Sequence, residues 1–140
     1  MNKLTARQLN SLNDYAVLGI SLEQLLKCLG DVIDVKFTPQ ERRVSFHYDN
    51  REPAVHISLQ HIKGAMDKQA RGEVTTEQLS DWAALLLADP SFDWEGPDED
   101  EIAGWLNEMA LLRAPRSGGR AVYEHIIDPS GITISFVQKV

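Results

Sequence analysis

The stretch Ser21–Pro39, "SLEQLLKCLGDVIDVKFTP", decides the fold class, because the hydrophobic period changes inside it. Its first half is helical. Ser21 and Gln24 have the spacing of a capping box, Leu22, Leu25, Leu26 and Leu29 recur on one helix face, and Gly30 supplies a stop. Its second half alternates. Ile33, Val35 and Phe37 fall on one side, and Asp34, Lys36 and Thr38 on the other, the pattern of a strand with one buried face.

The same two periods organise the rest of the chain. Upstream, "LTARQLNSLNDYAVLG" predicts a helix capped by Thr5 and Gln8, with Leu9, Leu12 and Ala16 on its apolar face and Gly19 as its stop. Downstream, "RVSFHYD" alternates through Val44, Phe46 and Tyr48, and with "PQER" as the turn it completes a hairpin. "AVHI" predicts a short third strand through Val55 and Ile57. Three helices follow. Ser58 caps the first, which carries an Ile57–Ile62 staple, an apolar face of Leu59, Ile62 and Met66, and Gly72 as its end. Thr75 and Gln78 box the second, with Leu79, Trp82, Ala83 and Leu86 as its stripe. Asp98 and Glu101 box the third, with Ile102, Trp105, Leu106 and Met109 as its stripe. After the loop "APRSGGR", the segments "AVYEHII" and "ITISFVQ" flank the turn "DPSG" as a closing hairpin. With no regular βαβ alternation, the expectation is an α+β fold. Its antiparallel sheet is built from two hairpins, with about five helices packed on it and residues 1–140 forming one domain.

Composition narrows the function. The net charge of −7 weighs against nucleic-acid and anionic-membrane binding, which need a basic face, and is compatible with a basic protein partner. The single cysteine, Cys28, rules out an intramolecular disulfide. "MNKLTARQLNSL" lacks the apolar core of a signal peptide, and no stretch approaches the length of a membrane span, so a cytosolic protein is expected.

Motifs for chemistry are weak. His47, His56, His61 and His125 show no H-x-x-x-H, H-E-x-x-H or C-x-x-C spacing, so no metal is expected. Cys28 has no local histidine to activate it, and neither G-x-S-x-G nor S-x-x-K occurs. "RSGGR" lacks the lysine of a Walker loop. The chain is therefore read as non-enzymatic, without a cofactor.

The segment "DPSFDWEGPDEDE", Asp89–Glu101, stands out. It holds seven acidic residues and no basic one, around Phe92 and Trp94. Asp98, Glu99, Asp100 and Glu101 fall at a helix N-terminus, where the dipole favours each by about 0.3–1 kcal/mol. Asp89, Asp93 and Glu95 need another reason. It is not an EF-hand, because Trp94 stands where that loop needs glycine. Phe92 is read as a corner plug, and Trp94 is open between core and contact. The contact residues expected for a basic protein partner are Asp93, Trp94, Glu95, Asp98, Glu99 and Asp100.

The phrase "QARGEVTTEQLSDWAALL" resembles a helix-turn-helix unit of uncharacterised small acidic bacterial proteins. It also resembles, more faintly, colicin-type immunity proteins, through Gly72, Glu73, Val74, Thr75, Gln78 and Leu79, with Trp82 a turn later. The resemblance implies a bacterial cytosolic protein that neutralises a basic toxin domain by charge-complementary docking. The strand hairpins depart from that all-helical family. Two other readings compete. One is a small-molecule-binding domain or small enzyme with a pocket between sheet and helices that draws on His47, His56, Tyr48 or Arg43. The other is a structural subunit that dimerises through strand edges or a tryptophan-bearing helix.

Overall fold

The computed structural model describes residues 4–37, 41–47, 55–89, 91–112, 121–128 and 131–139. The protein is α+β. Among the described residues, five α-helices, α1 (Ala6–Ala16), α2 (Leu22–Leu29), α3 (Leu59–Ala70), α4 (Thr76–Ala88) and α5 (Glu99–Leu111), accompany the strands β1 (Ile33–Phe37), β2 (Glu41–Phe46), β3 (Val55–His56), β4 (Phe92–Asp93), β5 (Ala121–Asp128) and β6 (Gly131–Lys139). The longer strands form an antiparallel sheet in the order β1-β2-β6-β5. Among the described residues, no helix is long and apolar enough to cross a membrane.

The helix entries follow their caps. The Thr5–Gln8, Ser21–Gln24 and Thr75–Gln78 boxes all form, each side chain satisfying the other residue's backbone N–H. At α3 the N3 residue is a histidine, and the Ser58 N–H donates to His61 Nδ1 at 3.0 Å. The box expected at α5 does not form: Asp98 is the N-cap, but its side chain caps nothing. A backbone near φ −101°, ψ 11° differs from the extended conformation that the other four caps use to aim their side chains inward.

Two helix ends also differ from expectation. α1 stops before Gly19, because Leu18 takes the left-handed conformation at φ 54°. Leu18 N–H donates to Tyr15 O and Gly19 N–H to Asp14 O, a Schellman closure with leucine where glycine is usual. The apolar face of α3 runs through Ile62 and Ala65, leaving Met66 exposed.

α4 is the centre of the core. Leu79, Ser80, Trp82, Ala83, Ala84, Leu85, Leu86 and Ala88 are all buried, as in a helix enclosed on most sides. Its polar groups are matched: Trp82 Nε1 donates to Tyr15 O at 3.1 Å, and Ser80 Oγ to Ala110 O at 2.9 Å. The second bond ties the start of α4 to the end of α5, so the two helices run antiparallel. The sheet contributes Ile33 and Val44 to the same core, with Val35 packed against it opposite Val44.

β2 begins earlier than the expected turn allows, because Glu41 and Arg42 already pair in the ladder. Tyr48 and the loops "DNREP" and "APRSGGR" lie outside the described residues. The strand expected at "AVHI" exists but pairs elsewhere, running parallel to β4 in a separate two-strand ladder.

Candidate acidic docking face

β4 lies inside the acidic segment, and the β3–β4 ladder divides that segment into a structural half and an exposed half. Asp89 is 2% exposed, and its Oδ1 accepts the Ser91 N–H at 2.8 Å, turning the chain out of α4. Val55 N–H donates to Ser91 O and Ile57 N–H to Asp93 O, which pins β4 against β3. Phe92 then enters the core at 5% exposure, in keeping with a corner plug. Asp93, on the opposite face of the strand, approaches the His56 ring with Oδ1 at 3.3 Å from Nδ1.

Trp94 is half-buried and packs against the core. The chain reverses at Gly96, whose φ of 142° favours glycine, and enters α5. Thus, of the six residues nominated from sequence, Glu95, Asp98, Glu99 and Asp100 are exposed, whereas Asp93 and Trp94 are half-buried.

α5 carries the surface onward. Ile102, Leu106, Met109 and Ala110 are buried, and Trp105, placed in the same stripe by spacing, stands 37% exposed. It lines a shallow depression of about 230 Å³ with Asp100, Glu101, Gly104 and Glu108. A methyl group added at Gly104 would meet nothing within 4 Å, so no steric demand keeps glycine inside this helix. Glycine there costs about 1 kcal/mol relative to alanine. Glu108 lies in the last turn, where the dipole disfavours an anion, so helix stability does not account for it.

The charge is segregated along the chain as well. Residues 72–112 contain eleven of the 21 acidic residues and none of the 14 Lys and Arg. Exposed charge clustered with one sign, as at Glu95 and the first turn of α5, attracts cationic partners and repels anionic ones. Neither Trp105, Glu101 nor Glu108 was nominated from sequence. Their i−4, i, i+3 spacing around an indole was the available signal.

The histidines are dispersed in role. His47 Nε2 lies 3.0 Å from Asp34 Oδ2. His61 is held below its usual pKa by burial first and by nearby His56 second. Arg43 is exposed on β2. Among the described residues, no three His, Cys, Asp or Glu side chains converge as metal ligands would.

The phrase that resembles immunity proteins maps to the α3–α4 junction, where Gly72 adopts φ 75° and Thr75 caps α4. No protein-family model, no curated protein and no solved structure matches the chain.

Proposed function

We propose that this chain is a non-enzymatic interaction protein that docks a basic protein partner through its acidic face, with toxin immunity or inhibition as the sharpest form of that role. The face begins at the exposed carboxylates of Glu95, Asp98, Glu99 and Asp100 and continues along α5 to Glu108. One observation carries the reading: the exposed Trp105 is flanked by Asp100, Glu101 and Glu108 beside the hollow at Gly104. A lysine or arginine over the indole gains about 0.5–1 kcal/mol from the ring face at an exposed site, and about 2 when desolvated. The surrounding carboxylates steer that cation in and penalise anionic competitors. Trp94, next to Glu95, packs on the core. The reading takes the sheet as two hairpins joined through β2 and β6, with the helices packed on it, an arrangement supported by the Ile33 and Val44 contacts.

The test compares three baits on native lysate. These are the wild type, a Glu101→Lys/Trp105→Ala/Glu108→Lys variant and an Asp93→Lys/Trp94→Ala/Glu95→Lys variant, each first checked for folding by circular dichroism. A basic protein bound by the wild type, lost with the α5 variant and released by salt supports the α5 face. Loss only with the second variant moves the contact to the β4 end. Equal retention by all three refutes the acidic face.

A further inference from the structure

The four-stranded sheet ends at β1, and among the described residues no strand pairs with its outer side. The register shows which backbone groups lie there. His47 N–H donates to Val32 O at 2.8 Å, so Val32 and His47 form a hydrogen-bonded pair just before β1. Such pairs alternate along an antiparallel ladder. Asp34 opposite Ser45 and Lys36 opposite Arg43 are therefore the next ones, with their N–H and C=O groups turned towards β2. The N–H and C=O groups of Ile33, Val35 and Phe37 point the other way, along the free edge.

An open edge is a template for another strand, and charged side chains often block it. β1 carries two exposed charges, Asp34 and Lys36, on the face opposite Ile33 and Val35. Charges of one sign would repel a second copy of the strand. These have opposite signs and flank Val35 symmetrically.

A two-fold axis at Val35 turns that symmetry into a register. Val35 faces Val35, and Ile33 faces Phe37, so the outward N–H and C=O groups of both strands meet and each pair closes its hydrogen bonds. Asp34 of one copy faces Lys36 of the other, twice over. These charges fall at the non-hydrogen-bonded positions, where facing Cα atoms are only about 4.5 Å apart and cross-strand pairs act most strongly. The neighbouring registers that keep the hydrogen bonds oppose Asp34 to Asp34 or Lys36 to Lys36, which is unfavourable. Neither charge has to be free. Asp34 also meets His47 through Oδ2 at 3.0 Å, and Lys36 has an interaction within its own chain. The register requires only that opposite signs face each other. The other edge, β5, holds Glu124 and Asp128 but no Lys or Arg, so a copy pairing there with itself finds no opposite charge.

We propose that β1 is a homodimer interface, at which a second copy of this chain adds its own β1 antiparallel about Val35 and joins two four-stranded sheets into one. Such an interface is isologous and closes at two copies. Its edge is five residues long, so the contact is small and the association depends on concentration.

Sedimentation of the full chain tests this, at about 0.15 M salt to screen the −7 charge on each copy. The apparent mass should rise from 15.7 kDa towards twice that value between about 10 μM and about 1 mM. Asp34→Lys alone and Lys36→Asp alone oppose like charges, and each should weaken dimerisation about tenfold. Mixed in equal amounts, the two variants should recover the wild-type behaviour, because each then faces the other's sign. The double variant Asp34→Lys/Lys36→Asp should dimerise by itself. Circular dichroism checks that each variant is folded, and recovery on mixing excludes misfolding as the cause of the loss. A wild type that stays monomeric throughout overturns the proposal. So does a dimer indifferent to the single reversals, a mixture that fails to recover, or growth beyond two copies. Failure here leaves the α5 face standing, because the two surfaces share no residue.

Discussion

Trp82→Phe is the sharpest test of which tryptophan holds the fold together. Trp82 is 0% exposed, and its indole N–H reaches the Tyr15 carbonyl at 3.1 Å, bridging α4 to the end of α1. Phenylalanine keeps a ring but loses that bond, worth a net ~1 kcal/mol. The carbonyl is not orphaned, because Leu18 N–H still donates to it at 2.8 Å, so the larger penalty of an unsatisfied buried acceptor does not apply. The missing part of the indole leaves a void that the surrounding Leu and Ala side chains only partly close. Full truncation of a buried tryptophan costs about 3–5 kcal/mol, so this partial loss costs about 1–2. The sum is about 2–3 kcal/mol. For a chain of this size that lowers the melting temperature by roughly 6–12 °C. The assay is urea and thermal unfolding followed by far-ultraviolet circular dichroism, which does not depend on the fluorophore being removed. Trp105→Phe in parallel should change stability by less than about 0.5 kcal/mol, as exposed substitutions usually do. Equal losses for the two variants, or a Trp82→Phe loss below about 1 kcal/mol, would refute the assignment of Trp82 to the core and Trp105 to the surface.

Other substitutions separate local from tertiary effects. Leu18→Gly relieves a left-handed leucine, a gain of about 1–2 kcal/mol, and gives up half-buried packing of similar size, so its unfolding midpoint should stay close to wild type. A drop of several kcal/mol would show that the packing dominates. His61 has a lowered pKa in the folded state, so the unfolded chain binds its proton more readily. Its contribution is therefore present above the ordinary histidine pKa of about 6.5 and is lost as pH falls through the lower folded value. His61→Gln, which recreates the Ser/Thr-x-x-Gln box of α1, α2 and α4, should flatten that acid-side decline in denaturation midpoints measured from pH 7 to 5. Gly104→Ala should stabilise α5 by about 0.5–1 kcal/mol while weakening capture of a basic partner, since the methyl enters the hollow beside Trp105. Gly64→Ala in α3, also sterically open, should stabilise similarly without touching capture, and a matching loss of capture there would undo the comparison.

Much of this architecture was legible because it rests on interactions a few residues long. A Ser or Thr three positions before Gln closes two backbone bonds wherever it occurs, so three helix starts followed from spacing alone. Gly30 and Gly72 take positive φ where the apolar period stops, for the same local reason. Alternation at Ile33 and Val35 fixed which side of β1 meets the core. The local grammar failed where a competing conformation of similar energy existed. Leu18 accepted strain that Gly19 would have avoided, and Asp98 turned its backbone away from the capping geometry.

What periodicity could not decide was coverage. A stripe of Ile102, Trp105, Leu106 and Met109 gives the direction of an apolar face around α5, but not how wide a band α4 covers. The buried band closes on Ile102, Leu106, Met109 and Ala110 and leaves Trp105 at its edge among carboxylates, so the aromatic element of the acidic face emerges only with the packing. The same holds for β3, whose two residues carry no signal for a partner 37 positions away in the chain, His56 facing Asp93. Caps and alternation are settled by backbone chemistry within one or two turns, whereas exposure, strand partners and cavities are settled by which surface arrives opposite, and only the folded chain supplies that.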